Sequence, residues 1–362
     1  MGVWGTADAT LMGTVIKGTD GKGYGVKMMG TGVIMEGGTV KMDGVKILQV
    51  KTGVEVKSGT VMMKGGWISN VAMGVHAKSG TLKMMGNSAI IFTGGDSGYG
   101  VKVGGMASAT LTDVKIRGMG KGMGVIMEGG TVKMDGVWIS GVKTGVEVSG
   151  KGMLEMKGGK MTDVQMGIDM SGNGKLVMKG DSKITFAGGE GDGYGVKVGG
   201  MAMAHLTGTT IVGSGKGGSK GVIMESGGEM LMDGVKILQV GKGVEVMGKG
   251  RLVVIGGEIG FKGEHGVTMS GGQALFYGVS ITGSGREGAG TGMYVGSSGK
   301  IMMKDVTMSG VGTGVEVTNG GAMWLGDINL RDVQNGMIVT QGSTVRMEGG
   351  EITFKGSYGV YL

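Results

Sequence analysis

Residues 124–148 read GVIMEGGTVKMDGVWISGVKTGVEV, and the fold can be inferred from their pattern. Apolar and polar residues alternate through it in short runs, and the apolar positions of the first three runs are Val125 and Met127, Val132 and Met134, and Val137 and Ile139. A period of two is typical of β-strands, because successive side chains of a strand point to opposite faces. Gly-Gly, Asp-Gly and Ser-Gly separate the runs and supply the backbone conformations of tight turns.

The same pattern repeats along the chain, and residues 32–45 are identical to residues 124–137. A Gly-Val-x-Val/Met type of motif begins at 15 positions with a mean spacing of about 23 residues, namely Gly32, Gly53, Gly74, Gly100, Gly124, Gly145, Gly167, Gly195, Gly221, Gly243, Gly266, Gly292, Gly314, Gly336 and Gly359. Three strands and three turns in such a unit describe one coil, or rung, of a parallel β-helix, whose rungs stack about 4.8 Å apart. We therefore predict an all-β chain that forms a single β-helical solenoid domain over residues 1–362, with about 15 three-stranded rungs.

The composition excludes several other classes of protein. Gly accounts for 89 of the 362 residues, but Pro is absent, which excludes collagen, and 40% apolar residues exclude a Gly-rich disordered chain. We expect the glycines to lie at turns and the methionines to fill the core, as at Met35, Met42, Met127, Met134, Met156, Met178 and Met232. The absence of Cys excludes a disulfide framework and thiol catalysis, and no apolar stretch is long enough to predict insertion into a membrane. The net charge of +7 favours anionic partners.

Stacked rungs place equivalent outward residues above one another, so the repeat predicts ladders of side chains on the surface. The first strand of each rung contributes a ladder of 15 residues, of which seven are charged and others, such as Ile126 and Ile223, are apolar. The second strand contributes an apolar ladder that is interrupted only by His205, and its candidate binding residues are Val177, Leu231, Val253, Leu275, Met302 and Trp324. An outward apolar strip of this length predicts contact with a partner, unless the turns near residues 213–220 and 283–290 cover it or the surface merely tolerates these residues.

The third strand contributes a basic ladder that includes two tryptophans. Its candidate binding residues are Lys46, Trp67, Lys115, Trp138, Lys160, Lys183 and Lys236. Lysines in a row attract sulfated glycans or acidic protein surfaces, and Trp can stack on a sugar ring or on a cation. A basic face that serves only solubility is the alternative. No nucleic-acid-binding module is recognisable, and we expect no nucleic acid as a partner.

The sequence offers little catalytic chemistry. Glu147 and Asp169 should be neighbours in adjacent rungs, and such a carboxylate pair could serve a retaining glycosidase, although Lys197 in the next rung offers a simple charge partner. Aspartates recur at one turn, with Asp43 in its Asp-Gly pair and Asp113 one position later in another rung, which favours a role in the turn over calcium binding. We therefore expect no enzyme activity, no catalytic residues, no metal and no cofactor. A polysaccharide-cleaving enzyme of the pectate-lyase type is the alternative.

The sequence pattern of residues 124–148 recurs over essentially the whole chain, which contains neither Cys nor Pro. This pattern resembles the passenger domains of Bartonella autotransporters, in particular the angiogenic-factor and inducible-binding groups. The resemblance implies a right-handed β-helix that is exported through the bacterial outer membrane and is secreted or displayed on the cell surface. For the angiogenic group it implies a virulence factor that binds a host receptor of the vascular endothelial growth factor type on endothelial cells. A signal peptide and a membrane barrel are not recognised in the sequence, so we expect an excised passenger. A passive adhesin for host matrix or glycans is the second alternative.

Overall fold

The computed structural model describes residues 1–18, 31–188, 193–215, 218–225, 227–284 and 290–362. The predicted right-handed parallel β-helix is confirmed, since the chain is nearly all β and forms a parallel solenoid of about 14 turns. The chain divides into two compact units, Met1–Leu176 and Val177–Leu362. The single domain over residues 1–362 stays a prediction, and each unit is described by itself.

Among its described residues, the first unit contains 17 complete strands, a single 3₁₀ turn at Gly95–Ser97 and the start of an eighteenth strand. Its strands are β1 (Gly2–Met12), β2 (Val15–Lys17), β3 (Thr31–Asp43), β4 (Lys46–Leu48), β5 (Thr52–Lys64), β6 (Trp67–Val71), β7 (Met73–Ala77), β8 (Thr81–Met85), β9 (Ala89–Phe92), β10 (Tyr99–Val103), β11 (Ser108–Thr112), β12 (Lys115–Arg117), β13 (Met123–Met127), β14 (Thr131–Asp135), β15 (Trp138–Val148), β16 (Met153–Lys157), β17 (Lys160–Met170) and β18 (Lys175–Lys179).

The second unit continues with strands β19 to β39. They are β19 (Lys183–Phe186), β20 (Tyr194–Val198), β21 (Met203–Thr207), β22 (Thr210–Val212), β23 (Lys220–Met224), β24 (Glu229–Asp233), β25 (Lys236–Val240), β26 (Lys242–Val246), β27 (Arg251–Ile255), β28 (Glu258–Phe261), β29 (His265–Met269), β30 (Gln273–Tyr277), β31 (Ser280–Thr282), β32 (Thr291–Val295), β33 (Lys300–Lys304), β34 (Thr307–Ser309), β35 (Thr313–Val317), β36 (Ala322–Val333), β37 (Asn335–Val339), β38 (Thr344–Phe354) and β39 (Val360–Tyr361).

Each unit is held together by parallel pairing between equivalent strands of successive rungs. The inner valines of the first strand, for example, form one buried column, namely Val33, Val54, Val75, Val101, Val125 and Val146. All seven methionines predicted to lie in the core are buried. Because neighbouring residues alternate between core and surface, the register of these columns also fixes which side chains face outward.

The turn after the second strand of the rung uses one recurring left-handed residue. This position is Gly44 with φ of 62° in one rung and Gly136 with φ of 64° in another, and Asp113 takes its place with φ of 54°. Asp tolerates this conformation better than most residues with a side chain, which explains why Asp113 can replace glycine at this corner. The prediction of a role in the turn therefore agrees with the backbone at Asp113.

Fourteen of the 15 glycines that open the Gly-Val motif lie inside strands rather than at turns, which corrects the expectation for them; Gly359, just before strand β39, is the exception. Gly124 lies inside strand β13 and is buried. A Cβ atom on Gly124 would come within 2.5 Å of the Gly145 carbonyl oxygen and of Ile139 Cγ2. The motif glycine is therefore needed because the next rung leaves no space for a side chain.

The sequence predicts a long turn over residues 25–31, because these seven residues are too few for a rung. Residues 25–30 lie outside the described residues, and Thr31 begins strand β3. Parts of the predicted turns near residues 213–220 and 283–290 also lie outside the described residues.

Candidate binding surfaces

The apolar ladder lies on the second-strand face of the unit Val177–Leu362. Leu231, Val253, Leu275, Met302 and Trp324 occupy equivalent positions of strands β24, β27, β30, β33 and β36 and are in register from each rung to the next. His205 precedes Leu231 in the same register, and Val177 is the middle residue of β18. The structure therefore brings the predicted ladder residues from Leu231 to Trp324 together.

Alternation along each strand turns the ladder outward. Leu252 and Val254, on either side of Val253, are buried, whereas Val253 itself is partly exposed. Met302 is 50% exposed, and the indole of Trp324 lies against the backbone at Gly326, where an added Cβ would come within 2.7 Å of the ring. The described residues thus leave the ladder accessible, while residues 216–217 and 285–289 lie outside them.

Two further residues widen the ladder into a patch, and sequence reasoning missed both. Ile255 and Tyr277 end strands β27 and β30, lie in register with each other and are 41% and 47% exposed. Their apolar character at an outward position was the signal that could have revealed them. The apolar patch comprises Leu231, Val253, Ile255, Leu275, Tyr277, Met302 and Trp324.

A shallow groove of about 390 Å³ lies at the end of this patch that contains Leu275, Met302 and Trp324, and it has a basic edge. Leu275, Met302 and Trp324 form its apolar lining, and Arg251 and Lys300 begin strands β27 and β33 beside it. Among the described residues, neither cation forms an ion pair. An apolar contact surface with two available cations at its edge suits a partner that presents apolar side chains bordered by carboxylates.

The basic ladder divides between the two units. In the unit Met1–Leu176, it runs in register through Lys46, Trp67, Ala89, Lys115, Trp138 and Lys160. In the unit Val177–Leu362, Lys183 and Lys236 flank Thr210. The structure thus groups the two tryptophans with three of the five lysines.

Each tryptophan of the basic ladder is paired with a lysine of a neighbouring rung. Lys46 Nζ lies 4.3 Å from the centroid of the Trp67 ring, and Lys160 Nζ lies at the same distance from the Trp138 ring. The indole N–H of Trp138 also donates a hydrogen bond of 2.9 Å to Thr162 Oγ1. These contacts hold both rings in place on the surface.

A second groove, of about 610 Å³, lies on this face around Trp138. Its lining includes Lys115, Arg117, Met119, Trp138 and Asp163. Sequence reasoning identified Lys115 and Trp138 but not the other three, because Arg117 stands one outward position further along strand β12 and Met119 belongs to the turn that follows it.

The first-strand face is more enclosed than the sequence suggests. Ile126 and Ile223 occupy outward positions of their strands yet are buried, which corrects their placement on an open surface. Glu55 pairs with Lys78 at 2.6 Å, and this hydrogen-bonded ammonium lowers the pKa of the Glu55 carboxyl. Lys197 lies 2.9 Å from Glu225, so its charge has a partner in its own unit.

The predicted carboxylate pair is formed in register. Glu147 of β15 lies opposite Asp169 of β17. Burial of Glu147, and next the negative charge of Asp169, raise the pKa of the Glu147 carboxyl. A carboxyl group with a raised pKa beside a second carboxyl group is the arrangement from which a general acid and a nucleophile could be built.

Within the described residues, no group of three or more His, Cys, Asp or Glu side chains is arranged to hold a metal ion. No helix in this part of the chain has the length and apolar character needed to cross a membrane. No protein-family model, curated protein or solved structure matches the chain.

Proposed function

We propose that the protein is a non-catalytic binding protein that engages the extracellular part of a host-cell receptor through the apolar patch. The observation that carries this proposal is the accessible apolar patch with Arg251 and Lys300 at its edge. Soluble proteins rarely expose several large apolar side chains side by side unless the surface contacts a partner. The partner that fits presents apolar side chains within a ring of acidic residues.

The dimensions of the patch support a protein as the occupant. From Leu231 to Trp324 it spans four rung steps in register, or about 19 Å at the usual strand spacing. Two outward columns of side chains lie next to each other at Val253 and Ile255. An apolar centre of this size, with a polar surround, is typical of the core of a protein interface.

The biological setting of this proposal comes from the sequence pattern of residues 124–148. Its resemblance to Bartonella autotransporter passengers supports export through the outer membrane, display or release at the cell surface and a role as a virulence factor. The angiogenic group within that resemblance supports a receptor of the vascular endothelial growth factor type as the partner. The β-helical fold is compatible with this assignment and with others.

The test replaces two neighbouring patch residues by lysine, as in Val253→Lys with Leu275→Lys. Two charges in an apolar contact should lower the affinity for endothelial cells at least about 100-fold and remove receptor phosphorylation. The matched control is Thr110→Lys with Ser108→Lys, which changes two outward residues of strand β11 on the second-strand face of the other unit. Unchanged binding by the patch variant would contradict the proposal, and cell binding by the original protein without phosphorylation would favour the passive adhesin.

The pairing of Glu147 with Asp169 favours one second candidate, cleavage of a polysaccharide. We propose it as the alternative in which Glu147 donates a proton to the leaving oxygen and Asp169 attacks the sugar. A screen of uronate polymers and host glycans with Ca²⁺ present tests it. Turnover that Glu147→Gln abolishes would support the enzyme, and turnover that survives this change would assign the activity to other residues.

A further inference from the structure

The groove around Trp138 combines an aromatic ring, two neighbouring cations and polar side chains on one face of the unit Met1–Leu176. We propose that it binds a glycan that carries sulfate or carboxylate groups, with one sugar ring against Trp138 and the anionic group between Lys115 and Arg117. This site is distinct from the apolar patch, which lies in the other unit. Its existence therefore does not depend on the receptor proposal.

The shape of the groove follows from one small residue and one projecting turn. Ala89 lies in register between Trp67 and Lys115, and its short side chain leaves a depression between larger neighbours. After strand β12, the chain passes through residues 118–120, and the Gly120 N–H donates a hydrogen bond of 2.7 Å to the Gly141 carbonyl. This turn lines the groove, and a volume of about 610 Å³ is within the range of small-molecule sites.

Trp138 is positioned for stacking before any ligand arrives. The Lys160 ammonium lies 4.3 Å from its ring centroid, the indole N–H is bonded to Thr162, and the side chain is still 37% exposed. A ring that is already held in place loses little side-chain entropy when a sugar packs on it. The apolar face of a pyranose ring would meet the part of the indole that lines the groove.

The cations of the groove are available to an anionic group. Lys115 and Arg117 are two residues apart on strand β12, so both side chains point outward, and both are exposed. In the described part of the chain, neither forms an ion pair. An ammonium beside a planar guanidinium can bind the oxygens of a sulfate or carboxylate from two directions.

Asp163 and Ser140 also line the groove and give it a preference for sugars over simple polyanions. A carboxylate and a hydroxyl can accept and donate hydrogen bonds to sugar hydroxyls, which a chain of phosphates does not offer. The groove should therefore distinguish an acidic oligosaccharide from a polymer that offers negative charge alone.

The test measures the affinity of the full chain for a heparin hexasaccharide, a hyaluronan hexasaccharide and inorganic polyphosphate by titration calorimetry. The first two probes separate sulfate from carboxylate recognition, and the third supplies charge without sugar. Trp138→Ala and the double change Lys115→Glu with Arg117→Glu should each weaken binding of the preferred hexasaccharide by about tenfold or more. Far-UV circular dichroism establishes that each variant is folded.

The chain offers a matched control for each change. Trp67 has the same lysine pairing and a similar exposure of 42%, but it does not line the groove. Trp67→Ala and Lys46→Glu should therefore change the affinity by less than about threefold. Equal losses for Trp67→Ala and Trp138→Ala, tighter binding of polyphosphate than of either hexasaccharide, or no binding of any hexasaccharide would each overturn the proposal.

Discussion

Replacing the motif glycine Gly124 by alanine tests whether successive rungs are packed as closely as the structure shows. The new Cβ would lie 2.5 Å from the Gly145 carbonyl oxygen and from Ile139 Cγ2, about 1 Å inside ordinary contact. The carbonyl belongs to a paired backbone strand, so relief requires the two rungs to move apart or Ile139 to leave its rotamer. Overpacking of this kind costs about 1–3 kcal/mol.

Gly104 provides the matched control in the same unit. A Cβ on Gly104 would meet only Glu128 Oε2, at 3.9 Å, and its backbone lies outside the left-handed region. Gly104→Ala should therefore leave the free energy of unfolding unchanged or raise it by up to about 1 kcal/mol, because alanine restricts the unfolded chain.

Urea unfolding followed by far-UV circular dichroism measures both changes. The expected result is a lower midpoint for Gly124→Ala at an unchanged slope, and an equal or higher midpoint for Gly104→Ala. Equal midpoints for the two variants, or a larger loss for Gly104→Ala, would refute the close approach of the rungs at the Gly-Val motif.

Three further predictions concern single side chains. Phe276→Ala should cost about 3–5 kcal/mol in urea unfolding because Phe276 is fully buried, whereas Tyr277→Ala, at the exposed next position, should cost under about 1 kcal/mol and weaken partner binding. Asp113→Ala should lower the free energy of unfolding by about 1 kcal/mol, since Asp113 has a φ of 54° that alanine adopts less readily. Glu147→Gln should stabilise the protein at pH 7, because burial and then the charge of Asp169 disfavour the charged Glu147 carboxylate in the folded state. The urea midpoints of the variant and the original protein should converge below about pH 4, where Glu147 is protonated in both the folded and the unfolded state.

The register of the solenoid could be predicted from the sequence because one motif recurs at a nearly fixed spacing. Gly32 and Gly53 are 21 residues apart, and the structure pairs Lys46 with Trp67 as this spacing requires. Leu275 pairs with Met302 once the one extra residue in the turn before strand β33 is counted. Parallel pairing between identical positions leaves little freedom for alternative registers when one face is buried.

The exposure of each outward residue and the shape of the grooves could not be predicted in this way. Ile126 has an outward position in the alternation yet is only 7% exposed, and the spacing of a motif does not reveal how far an outward residue is covered. The groove at Trp138 likewise depends on a turn that projects beside strand β12 and brings Met119 to the same surface.

The reason why the motif residue is a glycine could likewise be recognised only from the structure. Its sequence context, a Gly before an alternating run, is equally typical of a turn. Only the 2.5 Å between an added Cβ on Gly124 and the Gly145 carbonyl oxygen shows that no side chain fits at this position.

The patch itself can be tested most directly by attaching a bulky group to it, because the chain contains no Cys and any introduced thiol is unique. Leu275→Cys and Thr110→Cys both place a thiol at a partly exposed outward position of a second strand, one within the apolar patch and one in the other unit. Each protein is coupled to a maleimide-linked polyethylene glycol, and its binding to endothelial cells is measured before and after coupling. The account predicts that coupling at position 275 abolishes binding while coupling at position 110 leaves it intact; full binding by the protein coupled at position 275 would contradict it.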